Sequence, residues 1–131
     1  MFLTKECDYA IRVVRALSDF ERKTVKMIAK HEQVPYSFAY KILKKLERIG
    51  MVSSARGTLG GYQLAKKLDQ ITIFDIISAV NSNLYINECL KPGYICPHNN
   101  GNKLCSVHEE LERIQDELVE RLKSKTIDML I

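Results

Sequence analysis

VPYSFAYKILKKLERIGMVSSARGTLGGYQL, residues 34–64, carries the reading that decides the fold. Pro35 followed by Ser37 opens a helix, because proline's fixed φ suits a first turn and its missing N–H is one that a helix start leaves unpaired. Gly50 is the natural C-terminal stop. Wound at about 100° per residue, Phe38, Ala39, Ile42, Leu43, Leu46 and Ile49 gather on one side of this helix. Ser37, Lys41, Lys44 and Arg48 fall together on the opposite side, with Tyr40 beside them and Tyr36 at the helix start. Beyond Gly50, Met51–Arg56 and Tyr62–Ala65 read as two short strands, and Gly57-Thr58-Leu59-Gly60-Gly61 as the hairpin loop between them.

Upstream, Tyr9, Ala10, Val13, Val14, Ala16 and Leu17 recur at helical spacing and predict an amphipathic first helix over residues 5–19. Thr24 caps a short second helix, Val25–His31, and Glu32-Gln33-Val34 makes a tight connection into the third. Helix, tight turn, helix and two-stranded wing form the layout of a winged helix-turn-helix, whose partner is double-stranded DNA. The third helix then turns its cationic face into the major groove, where lysine and arginine reach guanine edges or phosphates. Arg56 sits at the hairpin tip. The neighbouring glycines, Gly57 and Gly60, let the backbone approach a phosphate or enter a minor groove, where arginine is favoured.

Downstream, Thr72-Ile73-Phe74-Asp75 resembles a capping box ahead of a fourth helix with Ile73, Ile76, Ile77 and Val80 on one face. Residues 81–104 are irregular, rich in Asn, Gly and Pro, and three of the four cysteines lie in or beside them. A long helix follows over Ser106–Lys123, with Leu104, Val107, Leu111, Ile114, Leu118 and Leu122 alternating three and four residues apart. So narrow a seam with acidic flanks suits a partner helix, hence a homodimer, better than a broad core face. The expected architecture is mainly α with a small β-hairpin wing. It comprises a winged helix-turn-helix domain (1–80), a cysteine-bearing sensor loop (81–105), and a long C-terminal dimerisation helix and tail (106–131).

Bulk composition agrees. At 131 residues, 46% apolar and 27% charged, the chain can bury a real core and is neither disordered nor membrane-like. No run reaches transmembrane length, and Lys5 and Glu6 interrupt the N-terminus before a signal-peptide core could form, so a cytoplasmic protein is expected. Residues 22–67 hold eleven Lys and Arg against Glu32 and Glu47, a net +9, while the remainder holds nine basic and fourteen acidic residues, a net −5. A cationic block beside an acidic remainder fits a polyanion-binding module joined to something else.

Cys89, Cys96 and Cys105 form a triad in the irregular segment, followed at once by His108. Thiolates are the usual ligands of iron–sulfur clusters, and an imidazole or carboxylate can complete such a site. The spacing matches no common zinc ribbon. Cys7 beside Asp8, and His98 after Cys96-Pro97, are further candidate ligands, although Cys7 reads better as packing within a helix and His98, like His31, as a solvated residue. No ferredoxin-type run, Gly-rich nucleotide loop or paired catalytic carboxylates mark an enzyme. An iron–sulfur electron carrier, the alternative from another class, leaves the wing and the cationic block without a use.

Leu3-Thr4, Tyr9-Ala10, Val34-Pro35-Tyr36, Lys41-Ile42-Leu43-x-x-Leu46 and above all Arg56-Gly57-x-x-Gly60-Gly61-Tyr62-x-Leu64 resemble the IscR/NsrR/CymR family of dimeric bacterial transcription regulators. The resemblance spans nearly the whole chain, including the terminal Thr126-Ile127-Asp128-Met129-Leu130. It implies a dimer linked by long C-terminal helices, each subunit placing Tyr36, Ser37, Tyr40, Lys41, Lys44 and Arg48 of one helix, and Arg56, Gly57, Gly60 and Tyr62 of one wing, on a DNA half-site. It also implies that Cys89, Cys96 and Cys105 hold an iron–sulfur cluster that reports redox, iron or nitric oxide status. Cys105-x-x-His108 looks like the pattern that holds [2Fe–2S]. Asp8 stands where related members supply a partner-subunit carboxylate to [4Fe–4S]. Both candidates for the fourth ligand are present, and the intervals between the cysteines are longer than in either type, so nuclearity stays open. CymR-type relatives imply the other alternative, a regulator of the same fold without a cluster, answering to thiol oxidation or a protein partner.

Overall fold

Thr4 starts α1 (Lys5–Ala16) by accepting the Cys7 N–H on its side chain at 3.3 Å, satisfying a donor that a helix start would otherwise leave unpaired. The computed structural model describes residues 3–98 and 105–131. Ala10, Val13, Val14 and Leu17 are wholly buried along one side of α1, which packs against α2 (Val25–Glu32), α3 (Tyr36–Arg48) and α4 (Ile73–Val80). Each of the valine and leucine side chains contributes about 1.5–3 kcal/mol on leaving water. The periodicity predicted a helix to residue 19, but α1 ends at Ala16. The chain turns there: the Ser18 hydroxyl donates to the Arg15 carbonyl, and Phe20 takes a left-handed φ of 62°.

Thr24 caps α2 and Gln33, at φ 54°, ends it. Val34 then donates its N–H to the Ala29 carbonyl and buries its side chain, which sets the tight turn into α3. The apolar face of α3 is narrower than its sequence implied. Ala39, Ile42, Leu43 and Leu46 are fully buried, whereas Phe38 and Ile49 are exposed. Phe38 lies at the edge of the face, where its ring meets Tyr9 edge-on at 5.3 Å, and Ile49 already belongs to the helix C-terminal cap.

The wing pairs β1 (Val52–Ala55) antiparallel with β2 (Gly61–Leu64), from Val52 opposite Leu64 to Ala55 opposite Gly61. Tyr62 is paired on both sides, because it also exchanges two backbone hydrogen bonds with Lys23 at 2.9 and 2.7 Å. The expected capping box is present on α4: Thr72 and Asp75 satisfy each other's backbone N–H groups. After the turn Glu88–Leu90 comes α5 (Ser106–Lys123), then a short turn, Ile127–Met129, that buries Ile127 and donates its N–H to the Ile71 carbonyl. The fold is thus mainly helical with a two-stranded wing. No helix among the described residues is long and apolar enough to cross a membrane.

The expected seam of α5 divides in two. Leu118 and Leu122, with Val119, are half-buried and pack on the chain's own core. Val107 and Ile114 are exposed and Leu111 is half-buried; Leu104 lies outside the described residues. The segment at residues 84–86, which follows α4, is tied to α5 by Gln115. This buried amide donates to the Leu84 carbonyl at 2.7 Å and accepts from the Ile86 N–H at 2.9 Å.

Glu32, buried at the end of α2, receives two hydrogen bonds from Arg15 of α1, at 2.5 and 3.3 Å. The guanidinium holds this carboxyl below its usual range, against the opposing effect of burial. A carboxylate with a depressed folded-state pKa stabilises the fold above its unfolded pKa, and that stability is lost as pH falls through the folded value. Glu32→Gln should therefore lower the melting temperature by several degrees near neutrality. The gap from the parent protein should close as the solution is acidified below the ordinary carboxylate range. Melting curves across pH check this.

Candidate nucleic-acid interface and cysteine pocket

Ser37, Tyr40, Lys41, Lys44 and Arg48 are all exposed on the outer face of α3, with Tyr36 exposed at its first turn. The amphipathic pattern places them there: once Ala39, Ile42, Leu43 and Leu46 are buried, the opposite side of the cylinder faces solvent. The cationic block does not present all its charges in this way. Lys23 is engaged by Asp19 at 2.5 Å and Lys45 by Glu6 at 2.7 Å. Among the described residues Lys41, Arg48 and Arg56 make no ion pair, so they remain available to a polyanion.

Between α3, the start of α2 and the wing lies an open cleft of about 560 Å³, lined by Lys26, Tyr36, Lys44, Glu47, Arg56 and Tyr62 among others. The Lys44 ammonium sits 5.6 Å from the Tyr40 ring centre and 5.8 Å from that of Tyr62. The Tyr62 side chain, first as a hydrogen-bonding partner and then by charge, raises the Lys44 pKa, and Glu47 adds to this. Lys44 is thus fully charged at neutral pH. Tyr62, counted from sequence among the DNA-facing residues, is buried. Lys26, exposed in the first turn of α2, faces the same cleft, a placement that periodicity in so short a helix does not reveal.

Glycine is required where the wing joins the domain. A Cβ on Gly61, whose φ is +129°, would stand 2.4 Å from the Lys23 carbonyl oxygen. A Cβ on Gly60 would stand 2.6 Å from that of Ala55. The Gly60 N–H closes the hairpin onto the Gly57 carbonyl at 2.9 Å, with Gly57 at φ +99°. The turn that carries exposed Arg56 is thereby defined by backbone alone, and Leu59 projects from its tip, 88% exposed.

Cys89, Cys96, Cys105 and His108 line a single pocket of about 300 Å³, joined by Asn87, Tyr94, Val107 and Leu111. Each comes from a different local context. Cys89 lies in the Glu88–Leu90 turn that packs on α5, Cys96 in the loop, Cys105 at the N-cap of α5, and His108 in its first turn. The donor set, three thiols and an imidazole around one cavity, suits an iron–sulfur group chemically. Among the described residues, no three His, Cys, Asp or Glu side chains are gathered closely enough to hold a metal ion. Asp8 does not line this pocket; it is exposed on α1 and paired with Arg12 at 3.2 Å. Cys7 is buried in the core and accepts from the Thr4 hydroxyl. His98 is exposed, and His31 approaches Glu32 at 3.4 Å.

Comparison with known proteins matches residues 3–131 to the Rrf2 model, described as an iron-dependent transcriptional regulator. Protein aau3 of Rhizobium meliloti is 31% identical over an alignment that covers the whole of this chain and 85% of its own length. Among solved structures, CymR, the global cysteine regulator of B. subtilis, superposes with a TM-score of 0.78 at 23% identity, covering 99% of this chain and 95% of that one. IscR of T. potens does so with a TM-score of 0.75 at 22% identity, covering 99% and 86%. Both structural likenesses are of fold: mainly helical chains with a winged helix-turn-helix.

Proposed function

The chain belongs to the Rrf2 family of transcriptional regulators, not enzymes, and from that premise we propose that it is a DNA-binding homodimer whose occupancy of DNA is set by an iron–sulfur cluster held by Cys89, Cys96 and Cys105. The observation that carries this reading is that these three thiols, from three separate local contexts, line one pocket. His108 lines the same pocket and is a fourth donor among the described residues; Asp8, which does not line it, would join from a second copy. Under this reading residues 1–80 bind DNA, 81–105 sense, and 106–131 dimerise.

Bound there, the cluster supplies a redox-active centre that oxygen, nitric oxide or iron scarcity alters or removes. Transmission belongs to the chain's own residues. Cys105 begins α5 and Cys89 sits on the turn packed against it, so drawing the thiols together sets where the first turns of α5 lie. Gln115 ties the segment at residues 84–86 to α5, which packs on α4, which in turn packs on α1 and α3. Two states of the pocket thereby become two placements of the recognition helices. The equilibrium shifts by the difference in affinity of those states for the ligand. A second reading is the same regulator without a cluster, responding by thiol oxidation or to a protein partner. It is favoured by the accessibility of the thiols, with Cys105 exposed and Cys89 and Cys96 half-buried.

Three measurements test these readings. Protein isolated without oxygen should contain iron and acid-labile sulfide, and Cys89→Ala, Cys96→Ala or Cys105→Ala should each abolish or badly destabilise that content while Cys7→Ala leaves it intact. Protein with neither iron nor sulfide promotes the thiol reading instead. Lys44→Ala and Arg56→Ala should each flatten the log K against log salt slope for operator DNA by about 0.9 for every phosphate left unneutralised; unchanged affinity and slope remove these residues from the interface. Ile114→Asp should give monomers with a wild-type circular dichroism spectrum and much weaker DNA binding, because an unpaired carboxylate is costly in an apolar helix seam. Light scattering that finds the parent oligomer moves the dimer contact elsewhere.

A further inference from the structure

Asn87 lies two residues before Cys89 and does two things with one side chain. Its Oδ1 accepts the Glu88 N–H at 3.0 Å, capping the Glu88–Leu90 turn, and its Nδ2 donates to the Cys89 Sγ at 3.3 Å. The cap fixes which way the amide faces, since exchanging its two ends would set NH₂ against a backbone N–H and leave the sulfur facing an oxygen. The turn is itself held, by the Lys91–Glu88 ion pair at 2.8 Å and by packing against α5. Asn87 also lines the pocket shared by Cys89, Cys96, Cys105 and His108.

We propose that Asn87 is a positioning residue, whose N–H···S hydrogen bond aims the Cys89 sulfur into the pocket and raises the reduction potential of the iron–sulfur group held there; this rests on the cluster reading above. A donor directed at a ligating sulfur interacts more strongly with the reduced, more negative state, so it favours that state and tunes the potential. The asparagine amide is the one side chain here that can cap the turn and donate to the thiolate together. Aspartate keeps the cap and has no donor. Serine keeps the cap, adds no charge, and is too short for the same reach.

The test compares anaerobically prepared wild-type protein with Asn87→Asp and Asn87→Ser. Wild-type iron–sulfur stretching frequencies in the resonance Raman spectrum should shift when exchangeable hydrogens are replaced by deuterium. Both variants should lose most of the shift assigned to Cys89 and show a lower midpoint potential. Their melting curves and DNA affinity in the iron-free form should match the wild type. A lower potential in Asn87→Asp alone, with Asn87→Ser like wild type, shows a charge effect and overturns the proposal, as do an unchanged deuterium shift and potential in both. Wild-type protein that holds no iron or sulfide defeats the cluster reading itself, a result distinct from a loaded wild type with unaffected variants.

Discussion

Everything in this molecule hangs on the requirement that α1 bury one face against three other helices at once. Ala10, Val13, Val14 and Leu17 cannot leave water by packing on any single neighbour, so α2, α3 and α4 are gathered around them. Small residues on the inner side, notably Ala10 and Ala16, let the helices approach. Once α3 has committed Ala39, Ile42, Leu43 and Leu46 to that centre, the orientation of its outer face is no longer free. The polar surface proposed to meet DNA is therefore a by-product of how the core is filled, and its rigidity is the rigidity of close packing.

The wing is attached by a different device. Apart from Tyr62, Val52 and Leu64 it contributes little to the core, and a two-stranded hairpin is marginal alone. Lys23 supplies what is missing. By pairing with Tyr62 on the outer edge of β2 it adds a single bridge of a third strand, and the required contact leaves room only for glycine at Gly61. The Lys23 side chain is meanwhile turned back to Asp19 and the Ala16 carbonyl. One basic residue of the cationic block is thus given over to construction, while Arg56 at the turn of the wing remains exposed.

α5 has two allegiances. Its C-terminal half belongs to the core through Leu118, Val119 and Leu122; its N-terminal half carries Cys105, His108 and the exposed Val107 and Ile114. Gln115 stands at the boundary, buried and bonded to backbone on both sides of Tyr85. A helix anchored at one end and presenting a cysteine-lined pocket at the other is suited to transmit a local change, because its anchored half is tied to the core.

Much of this was legible in the sequence, and the limits have physical causes. Periodicity located α3, the capping box announced α4, and the glycine pattern announced the wing, because each depends on residues within a few positions of one another. The cysteine triad could be singled out by residue type and irregular context. Counting charges could not tell Lys23, which closes the turn after α1, and Lys45, which ties α3 to α1, from Lys41 and Arg48, which face outward; that depends on Asp19 and on Glu6, which lies thirty-nine residues away from its partner. The same limit applied to α5, whose even-looking stripe is divided between its own core and the surface. It hid the role of Asn87, whose amide is oriented only when the turn has formed. The order of residues alone was enough to specify the helices, the wing and the set of chemically able side chains, since those follow from local backbone preference and residue type. Which of those side chains share a pocket, and which are consumed by packing, was settled by the folding of distant segments onto one another, because burial is a property of the whole chain folded at once.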